Sequence, residues 1–347
     1  MTLAINARFL TQKLSGVQRF SREVVTALAA TGMPLRLLAP RDAPGNFAGL
    51  PVEHVGRRAG QPWEQFDLPG ALRAGDHLLN LGNTAPLRLG ARQTVVIHDA
   101  GVFDTPESYS FAFRAWYRAL HWALPRRGTR LVTVSEFSRG RLALHLGLPP
   151  GLVGVMPEGG EHALREAAEP GILARHGLNP QGYALAVGTR ASHKNLGQLR
   201  EAVALLGSRG LKLAVAGAAD AGVFRNAADV DAAIALGRVS DAELRALYEN
   251  ALCLIFPSRY EGFGLPPLEA MWCGCPVLAA SAGAVPEVCG DAALWFDIDG
   301  PRSPATALAR LLDEPLLAEH LRASGRARAA TYSWTAAAEA LLAHLET

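Results

Sequence analysis

The stretch Tyr260-Glu-Gly-Phe-Gly-Leu-Pro-Pro-Leu-Glu-Ala270 holds the residues best suited to chemistry in this 347-residue chain. Gly262 and Gly264 let backbone N–H groups approach a ligand with no Cβ in the way. The prolines that follow mark the first turn of a helix, whose N-terminus adds the positive end of a dipole. An anion is held there without any charged side chain. Glu261 and Glu269 stand eight residues apart, one before the turn and one within the helix, which directs both carboxylates to one cleft at different depths. Each carboxylate accepts several hydrogen bonds and so suits sugar hydroxyls. Anion and polyol recognition in a single segment fit a sugar diphosphate.

Other polar residues stand where apolar runs end. Val187-Gly-Thr-Arg-Ala-Ser-His-Lys-Asn195 joins a glycine turn to Arg190, His193 and Lys194, and Val95-Val-Ile-His98-Asp99 closes on a histidine. Taken alone, a histidine at a strand end is more often structural than catalytic. Ser15-Gly16-Val17-Gln18-Arg19 and Val134-Ser-Glu-Phe-Ser-Arg139 each open a helix. The former has a single glycine, so it is not the Gly-x-Gly-x-x-Gly of dinucleotide-binding enzymes, and the acidic residue such enzymes carry about 20 positions later is not convincingly placed. Asp229-Val-Asp231 and Asp297-Ile-Asp299 have metal-pair spacing but lie outside these loops and read as solvated turns. Cys273-Gly-Cys275 is one residue short of Cys-x-x-Cys, with no second pair to complete a metal site, and reads as small buried residues.

Loops of this kind need strands to aim them. Short apolar runs at Thr2–Ala7, Leu35–Ala39, His77–Leu81, Thr94–His98, Leu131–Val134 and Val153–Met156 alternate with amphipathic stretches. A second series follows at Tyr183–Val187, Leu211–Ala216, Ala233–Leu236, Cys253–Phe256, Val277–Ala280 and Ala293–Phe296, with Asn195–Leu206 helix-like between them. Two parallel, doubly wound α/β sheets are expected, with ligands at the carboxyl ends of the strands. Ser240-Asp-Ala-Glu243 is a capping-box pattern, and Ser135 stands where an N-cap should. Periodicity lapses after Glu158-Gly-Gly-Glu161, which places the boundary between a first domain, 1–165, and a second, 166–331. Residues 332–347 read as a terminal amphipathic helix that packs back on the first domain. Gly45–Gly60 and Ala100–Phe113 read as long variable loops.

Half the chain (49%) is hydrophobic, enough for two cores. Met1–Leu14 is too polar for an export signal, and no run of about 18 apolar residues occurs, so the expectation is a cytoplasmic protein that is neither exported nor membrane-spanning. The four cysteines fall in one third of the chain, unlike a disulfide framework. The net charge of +2 conceals an asymmetry: residues 1–165 carry 19 Lys and Arg against 12 Asp and Glu, and residues 166–347 carry 15 against 20. The first half is the one to face an anionic membrane surface or phosphorylated acceptor. Nucleic-acid-binding modules are absent.

The segment EGFGLPPLEAMWCGCPVLAASAGAVPEV, with Glu261-x7-Glu269 inside it, resembles the signature of the retaining, GT-B-fold glycosyltransferases of family 4 (group 1). The resemblance extends along the rest of the chain. It implies two facing Rossmann-like domains, a nucleotide-diphosphate sugar as donor, and no cofactor or metal. By that resemblance Glu261 contacts the transferred sugar near its reacting carbon and Glu269 holds the nucleotide ribose. The backbone of Gly262, Phe263 and Gly264, leading into Leu265, touches sugar and phosphate. Lys194 matches the family's diphosphate-binding lysine. His193 and Ser192 stand where the family usually has Arg and Pro, so Arg190 is a candidate to supply the missing charge. His98 matches a histidine that contacts the donor sugar, and Arg238 and Val239 match the loop whose backbone reads the base. Gly16 and Val17 match the family's N-terminal loop beside diphosphate and acceptor, with Arg139 a further phosphate contact.

The same resemblance implies transfer of a hexose, read as mannose from GDP-mannose, to a saccharide or lipid-linked acceptor in bacterial surface polysaccharide synthesis, with UDP-sugars as the other donor series. Peripheral contact with the inner membrane face belongs to that picture. Two alternatives stay open at this level: a nucleotide-sugar 2-epimerase of the same fold, and a nucleotide-sugar-binding subunit without catalysis.

Overall fold

The computed structural model describes residues 2–188, 191–217 and 233–346. Contacts divide the chain into two units, Met1–Glu158 with Trp334–Thr347, and Gly159–Ser333. The division falls after Glu158 and not after residue 165, because Gly160 already packs on the second unit: a Cβ there would stand 2.7 Å from Trp272 and 2.8 Å from Leu268.

The first unit contains eight strands, β1 (Thr2–Asn6), β2 (Leu35–Ala39), β3 (Asn46–Phe47), β4 (Leu50–His54), β5 (Asp76–Asn80), β6 (Gln93–Val96), β7 (Arg130–Thr133) and β8 (Val153–Val155). They form one sheet in the order β3-β4-β2-β1-β5-β6-β7-β8, parallel except for β3 against β4. Among the described residues the second unit has six, β9 (Tyr183–Val187), β10 (Lys212–Ala216), β11 (Ala233–Gly237), β12 (Cys253–Phe256), β13 (Val277–Ala280) and β14 (Ala293–Phe296). Their order is β11-β10-β9-β12-β13-β14, with every pair parallel. Both sheets are doubly wound, as the alternation of apolar runs and amphipathic stretches requires. Strands such as β12 and β13 are buried along their whole length, which is why they read as unbroken apolar runs.

Six helices matter below: α1 (Gly16–Ala30), α2 (Phe111–Arg126), α3 (Glu136–Leu146), α4 (Asp241–Asn250), α5 (Leu265–Trp272) and α6 (Trp334–Glu346). The capping box forms at the start of α4, where Ser240 accepts from Glu243 N and Glu243 accepts from Ser240 N. Ser135 caps α3 through Ser138 N at 3.0 Å. Helix α6 belongs to the first unit. Trp334 meets Phe20 of α1 edge to face at 5.9 Å, and the Arg130 guanidinium donates to Leu345 O at 2.7 Å, at the helix end where a cation is favoured.

Three expectations are corrected. Gly45–Gly60 is not all loop: β3 and β4 lie in it, and β4 extends the sheet beside β2. Val52 is the one buried residue of Leu50–His54, so this edge strand carries little apolar signal. Within Ala100–Phe113 the chain forms a short helix, Gly101–Asp104, and then begins α2. The segment Asn195–Leu206 starts as a 3-10 turn, Leu196–Leu199, and becomes α-helical only at Arg200–Ser208, because Asn195 sits at φ +51°.

Candidate functional site

Sheet order locates the chemistry. In the second unit the chain winds from β9 out to β10 and β11 on one side and returns to β12 on the other, so β9 and β12 are neighbours that flank the switch in winding direction. Loops leaving such a pair diverge and open a crevice at the carboxyl ends of the strands. The loop after β9 carries Lys194, and the loop after β12 carries Glu261.

Those two residues meet. Lys194 Nζ donates to Glu261 Oε1 at 2.7 Å, and both side chains keep some exposure, 20% and 14%. The loops are also joined through their backbones, Arg259 N donating to His193 O at 2.7 Å. Arg259 itself forms a fork with Asp299, both N–O distances being 3.0 Å, which accounts for one half of the Asp297-Ile-Asp299 pair. Asp297 pairs with Arg302 instead. The pair Asp229-Val-Asp231 and the candidate Arg190 lie outside the described residues.

Gly264 is the N-cap of α5 at φ +113°, a conformation open to glycine, and Leu265 with two prolines forms the first turn. The helix N-terminus therefore aims out of the Glu261 turn. Phe263 is buried and packs edge to face on Tyr332, with ring centroids 5.7 Å apart, so its backbone rather than its ring faces the loop. Behind Glu261, Gly283 sits at φ +61°; a Cβ on it would stand 2.7 Å from Glu261 N and 2.8 Å from Glu261 O. Gly283→Ala is expected to push the Glu261 backbone aside and lower activity about tenfold, beyond the ~1 kcal/mol stability cost of the backbone conformation. Paired urea unfolding and rate measurements separate the two effects.

Glu269 lies in α5, 8% exposed, and both of its oxygens are engaged. Oε1 is 2.9 Å from His162 Nε2, and Oε2 accepts from the Tyr248 hydroxyl at 3.1 Å. Burial, reinforced by the Glu269 charge, pushes the Tyr248 phenol well up, so it remains a proton donor to the carboxylate. Each oxygen retains a second lone pair. Arg238 and Val239 occupy the turn between β11 and the capping box of α4. All four cysteines are buried free thiols; burial pushes Cys275 and Cys289 up to about 12 and raises Cys253 and Cys273 as well, which leaves them inert packing residues.

In the first unit β1 and β5 flank the corresponding switch. Gly16 and Val17 begin α1, and the Ser15 hydroxyl bonds the Gln18 side chain instead of capping the helix. His98, which follows β6, is buried and held from several sides. Its Nε2 is 2.9 Å from Leu81 O, its Nδ1 3.5 Å from Glu158 Oε1, and its ring meets Phe20 of α1 edge to face at 4.4 Å. Arg139 pairs with Glu136 on the first turn of α3. Beside these residues lies a cavity of about 280 Å³, lined among others by Arg8, Val17, Asn83, Asp99, Tyr109 and Phe113. On one wall Tyr109, Phe113 and Tyr117 stack in a ladder, with centroids 5.4 and 4.0 Å apart. His121 also lines it; burial lowers its pKa to about 4, so it is neutral.

Sequence reasoning missed His162, Tyr248, Gly283 and Ser258, whose buried hydroxyl near the end of β12 has no hydrogen-bond partner among the described residues. His162 stands beside the Glu158-Gly-Gly-Glu161 segment, whose lapse in periodicity marks a boundary; the Gly-Gly pair ahead of an acid and a histidine is the signal there for a site.

Comparison with known proteins follows the same lines. The family profile described as Glycosyl transferases group 1 matches residues 173–328. The O-antigen chain mannosyltransferase B of Escherichia coli is 32% identical over 266 residues, 70% of this chain and 67% of that protein. The O-antigen chain mannosyltransferase RfbU of Salmonella typhimurium is 26% identical over 64% of this chain and 62% of its own length. Some relatives match over less: the chain covers 12% of the serotype-specific mannosyltransferase WbdA of Escherichia coli. Among solved structures, Anabaena Alr3699/HepE in complex with UDP and glucose superposes with a TM-score of 0.76 at 16% identity, covering 100% of this chain and 99% of that one. WaaG, a glycosyltransferase involved in lipopolysaccharide biosynthesis, gives 0.72 at 17% identity over 99% of both chains. At those identities the likeness is one of fold, two Rossmann-like domains of the GT-B type.

Proposed function

The chain belongs to the group 1 glycosyltransferases, and on that basis we propose that it moves a hexose, mannose from GDP-mannose, onto a saccharide or lipid-linked acceptor with retention of anomeric configuration. The observation that carries this reading is the Lys194–Glu261 pair at the switch point, set against the glycine turn and N-terminus of α5. A cation, a helix dipole and a carboxylate converge there, as a leaving diphosphate and a reacting sugar require. Mannose is supported by the relatives, several of which are mannosyltransferases. A GDP- or UDP-linked donor is compatible with the same site, and a neighbour of the same fold is described as bound to UDP.

In this reading the acceptor oxygen forms its bond to the anomeric carbon on the face from which the diphosphate departs. The carbon–phosphate oxygen bond breaks, and that phosphate oxygen takes the acceptor proton. Lys194 neutralises the departing charge and Glu261 stabilises the cationic sugar, while Glu269, held by His162 and Tyr248, takes the ribose. The acceptor enters the first unit through the cavity beside Val17 and Asp99, whose aromatic ladder suits the apolar face of a sugar ring. The product is a surface polysaccharide, and the work is done on the cytoplasmic side of a membrane.

The test is thermal unfolding with UDP, GDP, dTDP and ADP and their sugars, with and without Mg²⁺, since a ligand that binds only the folded state raises its stability. A shift of about 2.7 kcal/mol in stability is expected at a hundredfold excess over Kd for the GDP series, with or without Mg²⁺. NMR of the product then reads the anomeric configuration. No shift with any nucleotide removes the donor site assigned here.

A further inference from the structure

Helix α2 carries a face that is exposed among the described residues. Phe111 is 77% exposed, Trp122 54%, Phe113 40% and Trp116 38%. Ala112, Ala115 and Ala119 lie exposed between them. Phe111, Ala112, Ala115, Trp116, Ala119 and Trp122 recur at three- and four-residue spacing and so form one apolar stripe, whereas Phe113, two residues from Phe111, turns toward the ladder of Tyr109 and Tyr117. Its inner side is tied to the domain: Leu120 and Leu124 are buried in a core cluster, and the His121 ring bonds Asn83 O at 2.9 Å. The stripe is therefore a fixed surface, not a helix awaiting a place in the fold. Beneath it lies an open cavity of about 560 Å³ with an almost wholly apolar lining, including Leu87, Phe103, Trp116 and Trp122. Exposed aromatics clustered on this scale mark an interaction site.

Charge decides which kind. From Ser108 to Ser135 the chain has five arginines, at 114, 118, 126, 127 and 130, and no Asp or Glu. The Arg126 guanidinium lies 4.1 Å from the centre of the Trp122 ring, and Arg114 lies 5.7 Å from that of Phe111. Next to Leu87, Arg88 covers Phe66, itself 56% exposed. Phenylalanine and tryptophan beside arginine, on a helix with no acid of its own, are the composition of a surface that rests in the headgroup layer of an anionic bilayer. The rings enter the acyl boundary, and the guanidinium groups stay at phosphate level.

We propose that α2, with Phe66 and Leu87 beside it, docks this protein on a bilayer containing anionic lipid. The inference deepens the reading above, in which the acceptor is lipid-linked, by naming the surface that meets the membrane. Phe113, on the same helix, lines the cavity assigned to the acceptor, so docking through this helix brings that cavity near the headgroup layer.

The experiment is co-sedimentation of the full chain with phosphatidylcholine vesicles and with equal mixtures of phosphatidylcholine and phosphatidylglycerol. Binding to the mixed vesicles alone is expected, weakening as salt rises, together with a blue shift of tryptophan emission. The double variant Phe111→Ala/Trp122→Ala should bind about tenfold more weakly or less, and Arg114→Gln/Arg127→Gln should lose the preference for phosphatidylglycerol. Thermal unfolding of each variant with GDP and UDP verifies the fold and keeps the two readings apart: nucleotide shifts retained without vesicle binding leave the transferase standing and remove the docking surface. Vesicle binding without nucleotide shifts does the reverse. Mixed-vesicle binding that survives both double variants, or conversion of a wild-type oligomer to monomer by Phe111→Ala/Trp122→Ala, overturns the proposal in favour of another surface or a protein partner.

Discussion

Glu261→Gln is expected to lower the transfer rate by about 10²- to 10³-fold while leaving the fold intact. Glutamine matches the carboxylate in size and still presents an oxygen to Lys194 Nζ, now 2.7 Å from Glu261 Oε1, so the loops after β9 and β12 stay joined. What disappears is the negative charge. A sugar losing its diphosphate gains positive charge at the anomeric carbon, and a fixed carboxylate stabilises that state more than the neutral ground state, which is the condition for acceleration. The substitution also releases Lys194 from an ion pair, so nucleotide diphosphate should bind as tightly as before or a fewfold more tightly. Transfer kinetics and calorimetric titration with nucleotide check the two halves separately. Transfer at the wild-type rate would remove Glu261 from the reaction.

How far this arrangement could be read from the chain depends on what each interaction leaves in the pattern. The strand positions did show, because parallel strands buried on both faces are continuous apolar runs; Cys253–Phe256 and Val277–Ala280 stand where the runs do. The edge strand Leu50–His54 did not, since a single buried residue makes no run. The identities of Glu261 and Lys194 came from a motif, but their contact joins positions 67 apart and emerges only when β9 and β12 become neighbours. His162 reaches Glu269 across 107 positions, and no local periodicity records such a partnership. His98 shows the opposite case. Its place at a strand end was legible, whereas the bonds that hold its ring, to Leu81 O and toward Glu158, depend on how three loops close.

Lys194→Ala tests the other half of the pair and separates binding from folding. Removing the ammonium leaves the Glu261 carboxylate, 14% exposed, without its cation, and an unpaired, partly buried charge costs about 1–3 kcal/mol. The free protein should therefore unfold at a lower temperature, which is not itself a sign of function. The functional effect lies in the difference between states. Nucleotide diphosphate should stabilise the variant far less than the wild type, with Kd about 10- to 100-fold higher, because a charge-assisted bond to phosphate is lost where the helix dipole alone remains. The double variant Lys194→Ala/Glu261→Gln distinguishes the two origins. It should regain much of the ligand-free stability, since no lone carboxylate remains, and still bind nucleotide weakly. Coupling in stability with no recovery of binding is the pattern of a cation placed for the diphosphate. Recovery of both would reduce Lys194 to a counter-ion for Glu261, and the diphosphate would then have to be held by the backbone of the Gly262–Leu265 turn and the N-terminus of α5 alone.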